Sequence, residues 1–404
     1  MKYTINKYHN IMKIDNNPNN KLLKSYMDGD IKLFRKLILD NENVNCLNSY
    51  NRSLISLVIE NKEGLENNKE FFDELISAGV CLNQIGWESG LLAVAVEFQK
   101  QDIYYAKKLL DNKINIDSVG VYYFSHDNFR YGVFEEGEKF PCPYGPAIFD
   151  ALTYSSIKHF DLFLKYNPDI NLLNDQGDSL LHNLIGECQQ NFNQDDMKNI
   201  FETLLERGAD PGIRNKYGKN VLNLIITNHQ NFLINSLFEK AHEINIDARN
   251  QRGDTALNES IESNNIEASY ILINLGANSN LYNVNEQNAL IKSMLKNNQE
   301  LFIFLIEKGA DISSIGKESG SNILHILTSY DIGHDFELKE FYKLILNKAP
   351  ELMHKKNKYG KTPIDILKEN GWYEARRGIL NQYESKSIEN LGKSKKHEKT
   401  MEYD

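Results

Sequence analysis

The chain has 404 residues, 41% hydrophobic and 25% charged: too long for one ordinary core and too apolar to be disordered throughout. Its 46 basic and 56 acidic residues leave a net charge of −10, which disfavours general nucleic-acid binding because phosphate contact needs a positive face. No run of about 18 apolar residues occurs, so no membrane span is expected, and Met1–Asp15 lacks the apolar stretch of a secretory signal.

Cys46, Cys81, Cys142 and Cys188 are scattered without short spacings, which is neither a zinc pattern nor a disulfide framework. That usage fits a reducing compartment, and the expected location is cytoplasmic, either in the cell of origin or in a host cell. Asn makes up about one residue in eight, alongside many Lys and Ile, and reads as the coding bias of an AT-rich genome.

In chain order, residues 1–19 are a polar lead-in, with Tyr3, Ile5, Tyr8, Ile11, Met12 and Ile14 placed to cap the first repeat. From Lys21 a first helix pair begins, with Leu33, Phe34, Leu37 and Ile38 on its second helix. A pattern then recurs: a turn residue, a short polar–apolar start and a stretch of helical period. Weak copies start at Asn51, Glu88 and Tyr144, before the clearer Gly177-Asp178-Ser179-Leu180-Leu181-His182 and Gly218-Lys219-Asn220-Val221-Leu222-Asn223. Gly253-Asp254-Thr255-Ala256-Leu257-Asn258 comes next, then a weak copy at Glu286. Gly320-Ser321-Asn322-Ile323-Leu324-His325 and Gly360-Lys361-Thr362-Pro363-Ile364-Asp365 complete the series. The spacings of 37, 56, 33, 41, 35, 33, 34 and 40 residues are a base period of 33 with insertions.

Most copies end in a second apolar patch and a glycine, as in Leu204-Leu205-Glu206-Arg207-Gly208-Ala209-Asp210. Leu272–Asn278, around Gly276, and Leu305–Asp311, around Gly309, do the same. Ser or Thr before the first helix accepts an orphan backbone N–H, Pro363 sits where a helix tolerates it, and a glycine closes the second helix. One such pair cannot bury its own apolar face, so copies are stable only when stacked.

These residues resemble the ankyrin repeat over roughly residues 20–380. The Gly-Ala-Asp endings match its wording well; Thr362-Pro363-Ile364 and Leu181-His182 come near its Thr-Pro-Leu-His opening. The resemblance implies an all-α solenoid of about ten helix pairs with β-turn fingers along one edge, working as a protein-binding scaffold. It also implies that His182 and His325 hydrogen-bond neighbouring turns. The expected layout is the lead-in 1–19, the solenoid 20–383 and a polar, mobile tail 384–404 rich in Glu, Lys and Ser.

The register breaks most between Glu88 and Tyr144, where about 23 extra residues fall in an insertion at 119–143. Val119–Phe124 and Phe129–Phe134 are aromatic, β-favouring runs either side of Ser125–Asn128, which reads as a β-hairpin; a second turn, Glu135–Glu138, leads back to Pro141-Cys142-Pro143. Aromatic and Arg enrichment is the composition of binding hot spots, so Tyr122, Tyr123, Phe129, Arg130 and Tyr131 are expected to touch a protein partner, although one hairpin face also needs something to pack against. Polar insertions at Gln189–Asp196 and Ser329–Lys339 read as surface loops.

Tyr50, Tyr217 and Tyr359 each precede an anchor and so occupy finger tips, among Arg214, Lys216, Lys219, Arg249, Arg252, Lys355, Lys356, Lys358 and Lys361. Positive tips on an acidic protein suggest an acidic partner surface, and Tyr217, Arg249 and Arg252 join the expected binding residues.

No phosphate loop, metalloprotease His pair or cofactor motif occurs, so no catalytic residue, metal or cofactor is assigned. The expected function is a non-enzymatic, monomeric interaction scaffold. Its divergent repeats, composition and polar tail resemble the ankyrin effectors that intracellular bacteria deliver into host cells. Alternatives are an ordinary cytosolic ankyrin adaptor of an AT-rich organism, and an enzyme with a Cys-based site at Cys142 or Cys188 near the insertion.

Overall fold

A computed structural model describes residues 20–383, apart from 48–52, 62–66, 83–89, 100–101, 118, 124–138, 187, 189–190, 242–243, 331–337 and 372. It divides into two compact units, Met1–Lys216 and Tyr217–Asp404. The first unit holds the pairs α1 (Lys21–Met27) with α2 (Ile31–Leu39), α3 (Leu54–Glu60) with α4 (Asn68–Ser77), and α5 (Leu91–Phe98) with α6 (Tyr104–Asp111). Strands β1 (Val119–Tyr123) and β2 (Lys139–Pro146) come next, then α7 (Ala147–Thr153) with α8 (Ile157–Leu164), and α9 (Leu180–Gly186) with α10 (Gln194–Glu206). The second unit holds α11 (Val221–Thr227) with α12 (Phe232–Lys240), α13 (Ala256–Glu262) with α14 (Ile266–Asn274), and α15 (Ala289–Leu295) with α16 (Gln299–Glu307). It ends with α17 (Ile323–Tyr330), α18 (Leu338–Lys348), a 3-10 turn at Pro350–His354, α19 (Pro363–Glu369) and a last helix, α20, over 373–383.

The two helices of a pair do different jobs. First helices stack on one another, α3 to α9 in one unit and α11 to α19 in the other, and all but α19, which buries only Pro363 and Leu367, are buried over most of their length. In α5 every residue from Leu91 to Val96 is buried. Second helices are amphipathic: α10 buries Met197, Ile200, Phe201, Leu204 and Leu205, the i, i+3, i+4, i+7, i+8 stripe of a helix with one wet face. Those helices end at left-handed residues as expected; Gly208, Gly276 and Gly309 have φ of 87°, 90° and 94°, and the Ala209 N–H returns to Leu204 O at 3.0 Å.

The inserted segment forms an antiparallel ribbon of β1 and β2. The strand opposite β1 is β2, while Phe129–Phe134, expected to pair with Val119–Phe124, lie outside the described residues. Val119 faces Pro146, Val121 faces Pro141, Tyr122 faces Phe140 and Tyr123 faces Lys139, with an irregularity between Val119 and Val121. β2 runs without a break into α7, so the strand tied to the helix stack closes the ribbon. A two-stranded ribbon has only edge strands, which is why three prolines are tolerated in β2. The polar insertions also shrink: Gln194–Asp196 form the first turn of α10, where acidic residues suit the helix dipole, and Ser329 and Tyr330 end α17.

The Asn content, whatever its origin in coding, has a structural use. Asn20, Asn193, Asn220, Asn265, Asn288 and Asn298 cap helix N-termini with their side-chain oxygens. Asn174, Asn250, Asn283 and Asn357 each build a finger. Their Oδ1 atoms accept the N–H two residues on (Gln176 2.9, Arg252 2.8, Asn285 2.9, Tyr359 3.0 Å). The same atoms accept the N–H four residues on (Asp178 2.9, Asp254 3.0, Gln287 3.0, Lys361 3.1 Å).

Other side chains tie pair to pair. Cys81 N–H donates to Asn45 Oδ1 at 2.7 Å, Asp169 N–H to Asp117 at 3.0 Å and Asp210 N–H to Asn171 at 2.9 Å. In the second unit Asn278 N–H donates to Asp247 at 2.9 Å and Asp311 N–H to Asn280 at 2.8 Å. The weak copy at Glu286 keeps the finger by other means: Glu286 takes the left-handed conformation, φ 55°, that glycine takes elsewhere. Its carboxylate accepts the N–H groups of Glu318 and Ser319 in the next finger. Gly316 permits this approach, since a Cβ there would lie 2.5 Å from Glu286 Oε2.

Asn283 serves a finger twice, because its Nδ2 also donates to Asp254 at 2.8 Å in the preceding finger. Replacing Asn283 by Ala leaves two N–H groups without their acceptor and takes one donor from the buried Asp254 carboxylate, which keeps Lys292 at 3.2 Å, so a loss of about 2 kcal/mol is expected in urea denaturation. An unchanged denaturation midpoint would show that the turn holds without it.

Candidate protein-binding surface

The finger tips are exposed side chains on a backbone fixed by side-chain acceptors. The pentapeptide Asn-Lys-Tyr-Gly-Lys occurs twice, at 215–219 and 357–361. Its tyrosines, Tyr217 and Tyr359, are 67% and 74% exposed, unusual for large amphipathic rings. In the second unit the finger carrying Tyr217 abuts the one carrying Arg249 and Arg252: a Cβ on Gly218 would lie 3.0 Å from Gln251 Cγ. Arg249 and Arg252 are both exposed, and the Arg252 guanidinium is 3.7 Å from the Asp254 carboxylate. Val284 N–H donates to Arg252 O at 3.0 Å, placing Val284, itself 69% exposed, on the following finger. The structure thus brings Tyr217, Arg249 and Arg252 together on neighbouring fingers, as the sequence pattern requires.

Tyr122 and Tyr123 lie in β1, opposite Phe140 and Lys139. Phe129, Arg130 and Tyr131 fall outside the described residues, as do Tyr50, His126 and the tail 384–404.

The helix-opening histidines are structural. Ser179 Oγ is 2.8 Å from His182 Nδ1. The Asn322 N–H donates to His325 Nδ1 at 3.1 Å, and His325 Nε2 is 3.0 Å from Lys361 O in the next pair. Burial holds the His325 pKa below the usual imidazole range, so the ring bonds as a neutral group. Cys188 is fully buried and its Sγ donates to Asn183 Oδ1 at 3.2 Å, which is the environment of a packing thiol and not of an activated nucleophile. No cluster of three or more His, Cys, Asp or Glu suited to a metal ion occurs among the described residues, and no described helix is long and apolar enough to cross a membrane.

Sequence reasoning missed one group. Asp150, inside the apolar run Ala147-Ile148-Phe149-Asp150-Ala151-Leu152, is buried at 3% exposure, and its Oδ2 has no hydrogen-bond partner. Burial, then the Glu97 carboxylate, pushes its pKa up to about 8. Nearby on α8, burial lowers the His159 pKa to about 4, with Ser156 Oγ 2.6 Å from its Nδ1. A lone carboxylate in the middle of an apolar helix was the available signal.

The two groups act in opposite senses on stability. Asp150 keeps its proton in the fold while the unfolded chain ionises near 3.8, so its contribution is fully present below that pH and is lost as pH rises to about 8. Neutral His159 opposes acid: stability falls as pH drops from 6.5 toward about 4. Asp150→Asn should remove the first effect alone, flattening by up to about 1.4 kcal/mol per pH unit the decline measured by denaturation between pH 6 and 8. A slope equal to that of the unsubstituted chain would place the Asp150 pKa in the ordinary range.

Residues 188–283 match the family model described as ankyrin repeats, in three copies. No curated protein matches the chain. Among solved structures, the chain is similar to the ankyrin repeat domain of Bcl-3, described as a member of the IkappaB protein family, at 18% identity and a TM-score of 0.47. That similarity covers 57% of this chain and 95% of the other. Residues 188–283 therefore carry ankyrin repeats, and stacked helix pairs also occur outside that segment in both units.

Proposed function

We propose that the chain is a non-enzymatic scaffold that holds an acidic segment of another protein on the fingers of its second unit. The carrying observation is the set of exposed aromatic and basic tips, Tyr217, Arg249, Arg252 and Tyr359, on turns locked by Asn side chains. A rigid turn loses little entropy when its tip is covered, and Tyr and Arg are the side chains richest in binding energy per contact. The positive tips belong to a chain of net charge −10, so attraction is local and directs an acidic segment to the fingers. The ribbon of β1 and β2, with Tyr122 and Tyr123, is a second contact element in the first unit.

The test is affinity purification from a eukaryotic lysate followed by titration of the captured protein. Tyr217→Ala combined with Arg252→Ala is expected to weaken binding by about 2 kcal/mol or more, and binding should fall as salt is raised. Equal affinity in a correctly folded variant would remove the fingers from the interface. Deleting residues 119–143 asks the same question of the ribbon.

The setting we propose is delivery into a host cell, as for the ankyrin effectors the sequence resembles. What supports it is the Asn- and Lys-heavy composition and the polar tail at 384–404. A translocation reporter fused to the chain should lose delivery when the tail is removed; unaltered delivery would deny the tail that role.

A further inference from the structure

One backbone bond recurs where finger meets finger. The carbonyl just before a left-handed glycine accepts an N–H of the following finger. Gln176 O takes it from Lys216 at 3.1 Å in the first unit; in the second, Arg252 O takes it from Val284 at 3.0 Å and Ser319 O from Lys358 at 2.9 Å. The glycines themselves lie against the same neighbour. A Cβ on Gly177 would be 3.4 Å from Lys216 N, one on Gly253 3.3 Å from Asn283 Cα, and one on Gly320 3.1 Å from Lys358 Cγ.

The last finger, 357–360, has the same build and no finger beyond it, since the chain runs on into α19 and α20. Gly360 is left-handed, φ 76°, yet a Cβ there would meet nothing within 4 Å. Tyr359, whose carbonyl precedes it, is exposed, and no described N–H reaches that carbonyl. The edge that every other glycine of this kind shares with a neighbour is open here.

Its surroundings are basic. His354, Lys355, Lys356 and Lys358 are all exposed. Lys358 Nζ donates to Lys317 O and Lys361 Nζ to Glu369, at 2.6 Å each, while Lys355 and Lys356 make no ion pair with a described residue. Asp365 feels Lys356 at a distance but accepts the Thr362 N–H in the cap of α19. The residue after the glycine points the same way. Asp178 and Asp254 stand there in two earlier fingers and accept the amide of the next finger's Asn at 2.8 Å, whereas Lys361 follows Gly360. An earlier finger asks its neighbour for a donor; the last one asks for an acid.

We infer that an extended acidic segment of the bound protein adds to this edge as the next member of the row. It gives an N–H to the Tyr359 carbonyl and carboxylates to Lys355 and Lys356. Main-chain pairing then supplies affinity and the lysines select the sign of the partner. The inference rests on the protein-binding reading and names the place where the segment is anchored. A second copy of the same finger is a poor occupant, because lysine would meet lysine, the usual guard of an exposed edge.

The experiment uses the full chain and, as probe, a fluorescein-labelled peptide of alternating Glu and Val, read by anisotropy. Lys355→Glu with Lys356→Glu should weaken binding about fivefold or more, whereas Lys32→Glu with Lys36→Glu, the same charge change at exposed positions of α2, should leave it unchanged. Gly360→Asn keeps a left-handed turn, which Asn tolerates, and fills the open side, so it should weaken binding too. Methylating every amide nitrogen of the peptide keeps its charge and removes its donors, and binding should be lost. Equal affinity for plain and methylated peptides would overturn the inference, as would equal losses in the two charge-reversed chains. A chain that ignores the peptide but sediments with phosphatidylserine vesicles would overturn it in favour of a membrane surface. Should Gly360→Asn not fold, the lysine variants and the methylated peptide decide the matter. Binding lost in Tyr217→Ala with Arg252→Ala but kept in Lys355→Glu with Lys356→Glu would leave the finger reading standing and remove this edge from it.

Discussion

Backbone lifted out of helix and sheet still has N–H groups to satisfy, and every finger of this chain faces that constraint. The stacked helix pairs solve it internally, but the fingers project beyond them. Asn is the side chain that meets the need with least bulk: one oxygen accepts two N–H groups of its own turn, and the amide can still donate outward. At Asn283 both ends are in use, inside the turn and toward Asp254 of the preceding finger. The fingers are held by those bonds, which is why the exposed Tyr217, Arg252 and Tyr359 are the contact points proposed.

The helix pairs were legible because their apolar residues obey one period and their ends carry glycine. Gly208, Gly276 and Gly309 stood out for a physical reason, since each takes a left-handed conformation that closes a helix. The weak copy at Glu286 was harder. There a carboxylate takes the glycine position and recovers the cost by accepting N–H groups from the next finger, an exchange that depends on a residue about thirty positions away. The pairing of β1 with β2 was not legible for a related cause: it depends on Lys139–Pro146 being continuous with α7.

The residues proposed for binding divide in the same way. Tyr217, Arg249 and Arg252 were legible because turn residues at a fixed period are exposed and adjacent by construction. The open edge beside Gly360 was not, because it shows only once the glycines of other fingers are seen packed against their neighbours. The state of Asp150 was hidden for a similar reason: the Glu97 carboxylate that acts on it lies more than fifty residues earlier in the chain.

The two ways of using an asparagine set different rules for how the sequence can drift. Asn174 and Asn357 use their oxygen within the finger, so a carboxylate of the same shape can replace either and keep every bond described for it. Asn215 and Asn283 also donate, to Asp178 and Asp254 at 2.8 Å each, and spontaneous deamidation there would set two negative groups face to face. Loss of either amide would therefore harm this protein more than loss of one that only accepts, because it would set one finger against the next.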